Sequence, residues 1–253
     1  MKQERGRLLS PDSADFLDSG VGECSACRVL RDVSGPVVAP VRPAAIPEWR
    51  SDLDPHALPP TPHLTLGQRR VLLACLEQFS AKGYVASSTR DIAAAMGIQS
   101  PSLYNHFASK EAMLSALVLL GYEHHGQRVM AALVGAPSTP EAQLAAVVRE
   151  HILVSCEFAR LSLVSQQELT HLAPETLARV IGYRSQLGLM VEQILRRGDD
   201  SGQFRVVHPS TTIVTVAGMG QVAAHEFPYL AEVAMPDYAS QFVDLALRLV
   251  GAA

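Results

Sequence analysis

The feature that most constrains the fold is the run of residues 88–107, which contains start and stop signals for two short helices and a tight turn between them. Ser88 can cap the first helix, since a side-chain oxygen satisfies free amides at a helix N-terminus. Gly97 ends that helix, because glycine adopts a left-handed backbone conformation without steric cost. Ser100 as a cap and Pro101 at the first helical position start the second helix. The run therefore predicts a helix-turn-helix.

The second helix of this run has a polar face that suits DNA. Leu103 and Phe107 define its buried stripe, which leaves outward-facing side chains at Ser102, Tyr104, Asn105 and His106. A recognition helix offers such groups to base edges in the major groove, while a flanking cation holds phosphates. Lys110 is the candidate cation. The alternative is a solvated face of a short helix, and the turn pattern favours the DNA interpretation.

The segment 66–117 resembles the DNA-binding domain of the TetR family of transcriptional regulators. The resemblance rests on an amphipathic first helix ending in residues 79–84, and on Ser88-Thr89, Asp91-Ile92-Ala93, Gly97-Ile98, residues 102–107 and Ser109-Lys110-Glu111. It implies that Thr89 and Arg90 contact the DNA backbone, and that Tyr104 and Lys110 bind phosphates. It also implies a group at or near the groove, namely Gln99, Ser100, Ser102, Asn105 and His106.

The rest of the chain is predicted to be helical, because it lacks an alternating strand pattern and is interrupted at proline and glycine clusters. We expect an all-α protein of about nine helices, which is the count typical of the TetR family. Residues 64–109 form the three-helix DNA-binding domain, and residues 110–253 form a helical effector-binding and dimerisation domain. Residues 1–63, which are rich in proline and lack sustained periodicity, are predicted to be a largely disordered extension.

The last two predicted helices, which open at Pro209 and Pro236, are the candidate homodimer interface. Small residues and valines recur over 211–224, and an apolar stripe follows at Tyr238, Phe242, Leu245 and Leu249. The alternative is that both helices pack into an intrachain core. The resemblance favours the dimer, since it implies a four-helix bundle between subunits, and a palindromic DNA operator requires a two-fold symmetric protein.

The resemblance further implies a small-molecule effector that enters the C-terminal domain and alters the spacing of the two DNA-binding heads. Polar or aromatic side chains within apolar helices are the candidate ligand-binding residues: His124, His125, His151, Glu168, Tyr183, Arg184, Gln221 and His225. The C-terminal half loosely resembles the subgroup that responds to acyl-CoA thioesters, through residues 167–169, 183–184 and 202–204. The effector is therefore expected to be an acyl-CoA or another hydrophobic molecule. An effector-independent DNA-binding protein and an enzyme acting on thioesters remain alternatives.

Several functional classes lack support in the sequence. There is no Gly-rich phosphate loop, no His-Glu-x-x-His and no Gly-x-Ser-x-Gly, so no catalytic residue is expected. The single Cys24–Cys27 pair cannot supply the four ligands of a structural zinc site, and no metal or cofactor is expected. No apolar stretch reaches the roughly 18 residues of a membrane helix, and the N-terminus lacks a signal-peptide core, which predicts a cytoplasmic protein without a membrane partner.

The charge distribution is compatible with DNA binding despite a net charge of −4. Residues 64–120 carry five Lys/Arg and three Asp/Glu, whereas the acidic excess lies mainly in the C-terminal part. This excess of positive charge is small, and dimerisation would double it.

Overall fold

The computed structural model describes residues 55–230 and 232–252, and within them the fold consists of nine α-helices and no strand. The helices are α1 Leu66–Ala86, α2 Thr89–Ala95, α3 Ser100–Leu103, α4 Lys110–Gly135, α5 Pro140–Glu157, α6 Ala159–Gln167, α7 Pro174–Asp200, α8 Pro209–Glu226 and α9 Met235–Leu249. Single 3₁₀ turns occur at Pro55–Ala57, Leu169–His171 and Phe227–Tyr229. The all-α prediction and its helix count are confirmed.

Local capping explains the helix boundaries of α1–α3, the predicted DNA-binding head. Ser88 accepts from the amide of Asp91, whose carboxylate accepts from the Ser88 amide, so α2 begins with a reciprocal capping box. Gly97 has φ +67°, which is the left-handed conformation predicted for the turn. The prediction that Ser100 caps α3 is wrong by one residue. Gln99 is the extended N-cap residue, without a side-chain cap hydrogen bond, and Ser100 is the first residue of the helix.

The segment before α1 packs against the head. Leu58 is only 1% exposed and belongs to the head's hydrophobic core. The Arg69 guanidinium of α1 donates to the Leu58 carbonyl at 2.6 Å and to the Pro59 carbonyl at 2.7 Å. Residues 1–54 of the predicted disordered extension lie outside the described residues, and the prediction for that part stays a prediction.

Two hydrophobic cores fill the fold, and α4 contributes to both. Met113 and Leu117 of α4 lie in the first core, which is shared by α1, α2, α3, α6, the C-terminal part of α5 and the N-terminal part of α7. Val129, further along α4, lies in the second core with residues of α5, α7, α8 and α9. Since α4 begins beside the head and ends in the second core, a displacement of this helix would move the head relative to the rest of the protein, which we call the body.

The apolar stripe of α9 divides between the second core and the surface. Tyr238 and Phe242 are buried within the chain, which corrects their assignment to the dimer interface. They pack there because α9 lies along α5 in the same core. Leu245 and Leu249 are 53% and 43% exposed, so this part of the stripe remains available to a partner.

Candidate functional site

Most of the predicted DNA-contacting residues lie at the surface of the α2–α3 pair. Arg90, Gln99, Tyr104 and Asn105 are exposed, and Tyr104 retains 52% of its accessible surface. Thr89, Ser100 and Ser102 are half-buried at or near the first turns of the two helices. Their contacts with DNA stay a prediction, and the arrangement leaves a polar surface free for a groove.

His106 takes a position that the sequence reasoning missed. Its imidazole is half-buried against Gly67 of α1, where an added Cβ would come within 3.0 Å of Nδ1. The close approach is possible because Gly67 has no side chain. His106 therefore packs against α1, a contact that its predicted place at the groove did not include.

Lys110 also has an internal role. Its Nζ donates to the Tyr84 carbonyl at 2.9 Å and to the Ser87 carbonyl at 2.8 Å, and it lies 4.1 Å from the centre of the Tyr84 ring. These bonds satisfy carbonyls at the C-terminal end of α1. An ammonium has three N–H donors, so one remains for the phosphate contact, which stays a prediction.

A cavity of about 150 Å³ lies among α4, α5, α6, α7 and α8. Its apolar wall includes Val129, Val147, Phe158, Leu161, Met190, Val191, Ile213 and Val216. Its polar wall includes His124, His125, His151, Ser155, Ser162, Ser165, Gln166 and Arg184. Pro59, from the segment before α1, also lines the cavity. A concave, mostly apolar space with a few polar groups is the usual form of a small-molecule site.

Two histidines in the cavity wall connect three helices. His125 Nε2 of α4 lies 2.6 Å from His151 Nδ1 of α5. His151 Nε2 lies 3.2 Å from both the Ala217 carbonyl oxygen and the Gly220 amide nitrogen of α8. Two tautomer patterns satisfy this chain: His151 donates to the carbonyl and accepts from His125, or accepts from the amide and donates to His125. Either pattern connects α4 to α8 across the cavity.

Burial keeps the cavity histidines neutral. Desolvation, with smaller contributions from the neighbouring His151 and His124, lowers the pKa of His125 to about 3. Desolvation also lowers the pKa of His151, which the bond to the Ala217 carbonyl partly opposes. For His124, burial and then Arg128 lower the pKa. All three imidazoles are therefore uncharged near neutral pH.

Only part of the predicted ligand-binding set lines this cavity. His124, His125, His151 and Arg184 do so. Glu168 instead accepts from the Tyr84 amide, and Tyr183 directs its hydroxyl to Glu123 Oε1 at 3.4 Å. Gln221 is exposed on α8, and His225 Nδ1 lies 3.0 Å from Glu226 Oε1. None of these four side chains lines the cavity, so a polar residue type alone did not identify the residues of the cavity wall.

The wall also contains residues that the sequence reasoning missed. Ser165 of α6 and Tyr122 of α4 both line it. Tyr122 lies three positions before His125, so helical spacing places the two on one face of α4, and this spacing could have identified Tyr122. Within residues 55–230 and 232–252 no group of three or more His, Cys, Asp or Glu side chains could hold a metal ion. Nor is any described helix long and apolar enough to cross a membrane.

Family comparisons cover both halves of the fold. The profile described as "Bacterial regulatory proteins, tetR family" matches residues 71–117, and "Tetracyclin repressor-like, C-terminal domain" matches residues 137–250. The chain belongs to the TetR family. Members of this family are DNA-binding regulators rather than enzymes, and they usually form dimers. No curated protein sequence matches the chain.

Solved structures agree with the TetR assignment. A TetR-family regulatory protein from Rhodococcus RHA1 is 27% identical, with a TM-score of 0.69 over 75% of this chain and 99% of that one. PfmR, a TetR-family regulator from Thermus thermophilus, is 28% identical, with a TM-score of 0.64 over 71% and 97%. AibR, solved with isovaleryl coenzyme A and operator DNA, is 21% identical, with a TM-score of 0.60 over 74% and 100%, and this last likeness shows the fold alone.

Proposed function

We propose that this TetR-family protein is a repressor that binds a palindromic DNA operator as a homodimer and releases it when a small effector occupies the cavity. The cavity carries the proposal, because it lies among the helices that connect the head to the rest of the protein. The effector is a small hydrophobic molecule or an acyl-CoA. The second possibility is supported by AibR, which shares the fold and was solved with isovaleryl coenzyme A and operator DNA.

The proposed switch requires that an effector binds the two conformations with unequal affinity. The α4 wall contains Tyr122, His124 and His125, and α4 also begins beside the head at Lys110. An effector that displaces this wall would move the N-terminal end of α4 and alter the separation of the two heads. Recognition helices must lie about 34–36 Å apart to enter successive major grooves, so a change in spacing weakens binding.

The proposed dimer interface lies on the outer faces of α8 and α9. Val222 of α8 is 55% exposed, and Leu245 and Leu249 of α9 supply further exposed apolar surface. Ala217 and Gly218 of α8 are also exposed, and such small residues allow helices to approach closely. Leu245→Glu should therefore produce monomers in light scattering, whereas Val134→Glu, at a 77% exposed position at the end of α4, should leave the dimer intact. A dimer that survives Leu245→Glu would move the interface elsewhere.

The regulator proposal is tested by selecting bound sequences from random duplex DNA at physiological salt, with and without an acyl-CoA mixture. A palindrome that the mixture releases supports an acyl-CoA effector. A palindrome whose binding is unchanged by the mixture supports a DNA-binding regulator and contradicts an acyl-CoA effector. The absence of any enriched sequence would contradict operator recognition and favour non-specific binding through phosphates.

The predicted DNA-contact surface is tested with tyrosine variants of the full chain. Tyr104→Ala should weaken operator binding by about tenfold or more, because both subunits of the dimer lose a phosphate hydrogen bond. Tyr229→Ala removes a tyrosine of similar exposure, 46% against 52%, far along the chain from the head. This control should bind the operator as the unmodified protein does. Equal losses in both variants would argue against a contact at Tyr104.

A further inference from the structure

The charged and polar groups of the cavity are arranged unevenly. Arg184 is the only side chain with a permanent charge among the described lining residues, and none of those residues is Asp or Glu. Arg184 forms no ion pair with any residue of the described chain, and its charge acts on Tyr122, where it opposes the burial that raises the tyrosine pKa. An unpaired guanidinium beside an apolar space favours an anionic ligand and disfavours a cationic one.

Two further polar atoms in the wall lack partners. His124 Nε2 and Ser165 Oγ are buried and form no hydrogen bond within the described residues, and both side chains line the cavity. Buried polar atoms are rarely left without a partner, because desolvation without a hydrogen bond costs free energy. A ligand that carries acceptor oxygens would satisfy them, since the serine hydroxyl donates and a neutral imidazole donates from one nitrogen.

Ser165 and Arg184 both lie near the Gly121–Tyr122 step of α4. Ser165 lies beside Gly121, where an added Cβ would be 3.1 Å from Ser165 Oγ, and Gly121 precedes Tyr122 on α4. Arg184 interacts electrostatically with Tyr122. The opposite end is formed by members of the second core, including Val129 and Ile213. The wall therefore has a charged end near Tyr122 and a second end that is mostly apolar, where His125 and His151 are neutral and bonded to each other.

The volume limits the size of the apolar part. An engineered cavity of roughly 150 Å³ in another protein holds benzene, so a similar space accepts a body of about six to ten non-hydrogen atoms. The cavity here has about 150 Å³. A complete coenzyme A thioester exceeds this volume, and only its acyl group would fit inside.

We propose that the effector is a compact apolar carboxylate, with its carboxylate paired to Arg184 and its body in the apolar end of the cavity. This inference rests on the proposed regulator function. An uncharged ligand would leave the guanidinium unpaired, and an amine would meet it as a like charge. Ser165 contributes a hydrogen bond at the same end, and His124 contributes another from the α4 wall. The apolar wall selects a short branched or ring-shaped body over a polar one.

The test uses isosteric pairs with the full-length protein: benzoate against benzamide, and isovalerate against isovaleramide. Isothermal titration calorimetry should show each acid binding about tenfold to a hundredfold more tightly than its amide, which is the range of a charge-assisted hydrogen bond. Arg184→Gln should abolish this preference, and Arg184→Lys should retain part of it. Arg196→Gln is the matched control, because Arg196 lies on the same helix, is 72% exposed and does not line the cavity.

Each outcome of the titrations supports or overturns the carboxylate site at Arg184. Equal binding of acid and amide, a preference that survives Arg184→Gln, or no binding of either acid would overturn it, including the case in which only isovaleryl coenzyme A binds. Thermal melting of Arg184→Gln checks that the variant is folded, and Arg184→Lys provides the second reading if it is not. Release of the selected operator is measured separately. Acids that bind without releasing DNA leave the carboxylate site intact and refute the proposed switch.

Discussion

Replacing Glu168 with alanine should loosen the contact between the DNA-binding head and the rest of the protein. Glu168 is 7% exposed at the C-terminal end of α6. Its Oε1 accepts from the Tyr84 amide at 3.0 Å, and its Oε2 lies 3.0 Å from His171 Nδ1. Tyr84 belongs to the last turn of α1, directly after Gly83, whose φ of +78° interrupts the helix. The carboxylate therefore supplies an acceptor to an amide at the point where the helix is interrupted.

The expected loss follows from these two bonds. A hydrogen bond to a charged acceptor contributes about 1.5–3 kcal/mol, and an amide left unsatisfied costs a similar amount. Removal of a buried carboxylate relieves part of its own desolvation cost, which offsets some of that loss. We expect Glu168→Ala to lower the free energy of unfolding by about 2 kcal/mol, or about thirtyfold in the equilibrium constant. Glu168→Gln keeps an acceptor oxygen of the same shape and should lose about half as much.

Urea unfolding of the dimer measures this change, and hydrogen exchange at the Tyr84 amide localises it. Exchange at that amide should accelerate in Glu168→Ala, with little change in the amides of α9. Glu232→Ala is the control, because Glu232 is exposed and forms no hydrogen bond or ion pair within the described residues. An unfolding free energy equal to that of the unmodified protein, with unchanged exchange at Tyr84, would refute the reasoning.

Three further perturbations test packing and protonation. Gly220→Ala should lower the free energy of unfolding by about 1–3 kcal/mol in urea, because an added Cβ would clash with the His151 ring. Leu58→Ala should cost about 2–4 kcal/mol in the same assay, because the side chain is 1% exposed in the core. Burial, together with the neighbouring His151 and His124, lowers the His125 pKa to about 3. Around and below pH 6.5 the unfolded chain therefore binds more protons than the folded one, and stability falls as the pH is lowered towards 3. Between pH 7 and pH 5 this group alone should remove about 2 kcal/mol, measured by urea unfolding at each pH.

Each of these predictions has a matched comparison. Gly182→Ala of α7 meets nothing within 4 Å and should raise the free energy of unfolding by up to about 1 kcal/mol through helix propensity alone, so equal losses at Gly182 and Gly220 would refute the close-packing argument. Leu66→Ala removes an 83% exposed leucine, and a similar loss there would contradict a specific role for Leu58. His125→Gln should flatten the pH dependence, whereas His63→Gln at an exposed position should not. A slope unchanged by His125→Gln would assign the proton uptake to other groups.

The helix-turn-helix was predictable because its signals act over a few residues. Ser88 and Asp91 cap each other across a single turn, and the conformation of Gly97 depends on the absence of its own side chain. The sequence did not predict the contacts that Lys110 and Glu168 make within the chain. Both residues bond to Tyr84, which lies 26 positions from Lys110 and 84 positions from Glu168. No local pattern in either stretch indicates that contact.

The candidate ligand cavity was predictable in part. His124, His125, His151 and Arg184, which were among the candidate ligand-binding residues, line the cavity, and their role as ligands stays a prediction. Tyr183 follows the same rule as its neighbour Arg184 and yet lies outside the wall, since one step along a helix rotates a side chain by about 100°. Residue type and periodicity therefore indicate a buried face without identifying which space that face borders.

By itself the sequence determined which stretches are helical and how the DNA-binding head turns, because caps, prolines and glycines act on their immediate neighbours. Tertiary structure alone decided the partner of each apolar face. Tyr238 and Phe242 face α5 within the chain, while Leu245 on the same helix remains exposed. Burial depends on which distant helix covers a stripe, and hydrophobicity drives that contact without direction, so a stripe cannot specify its partner.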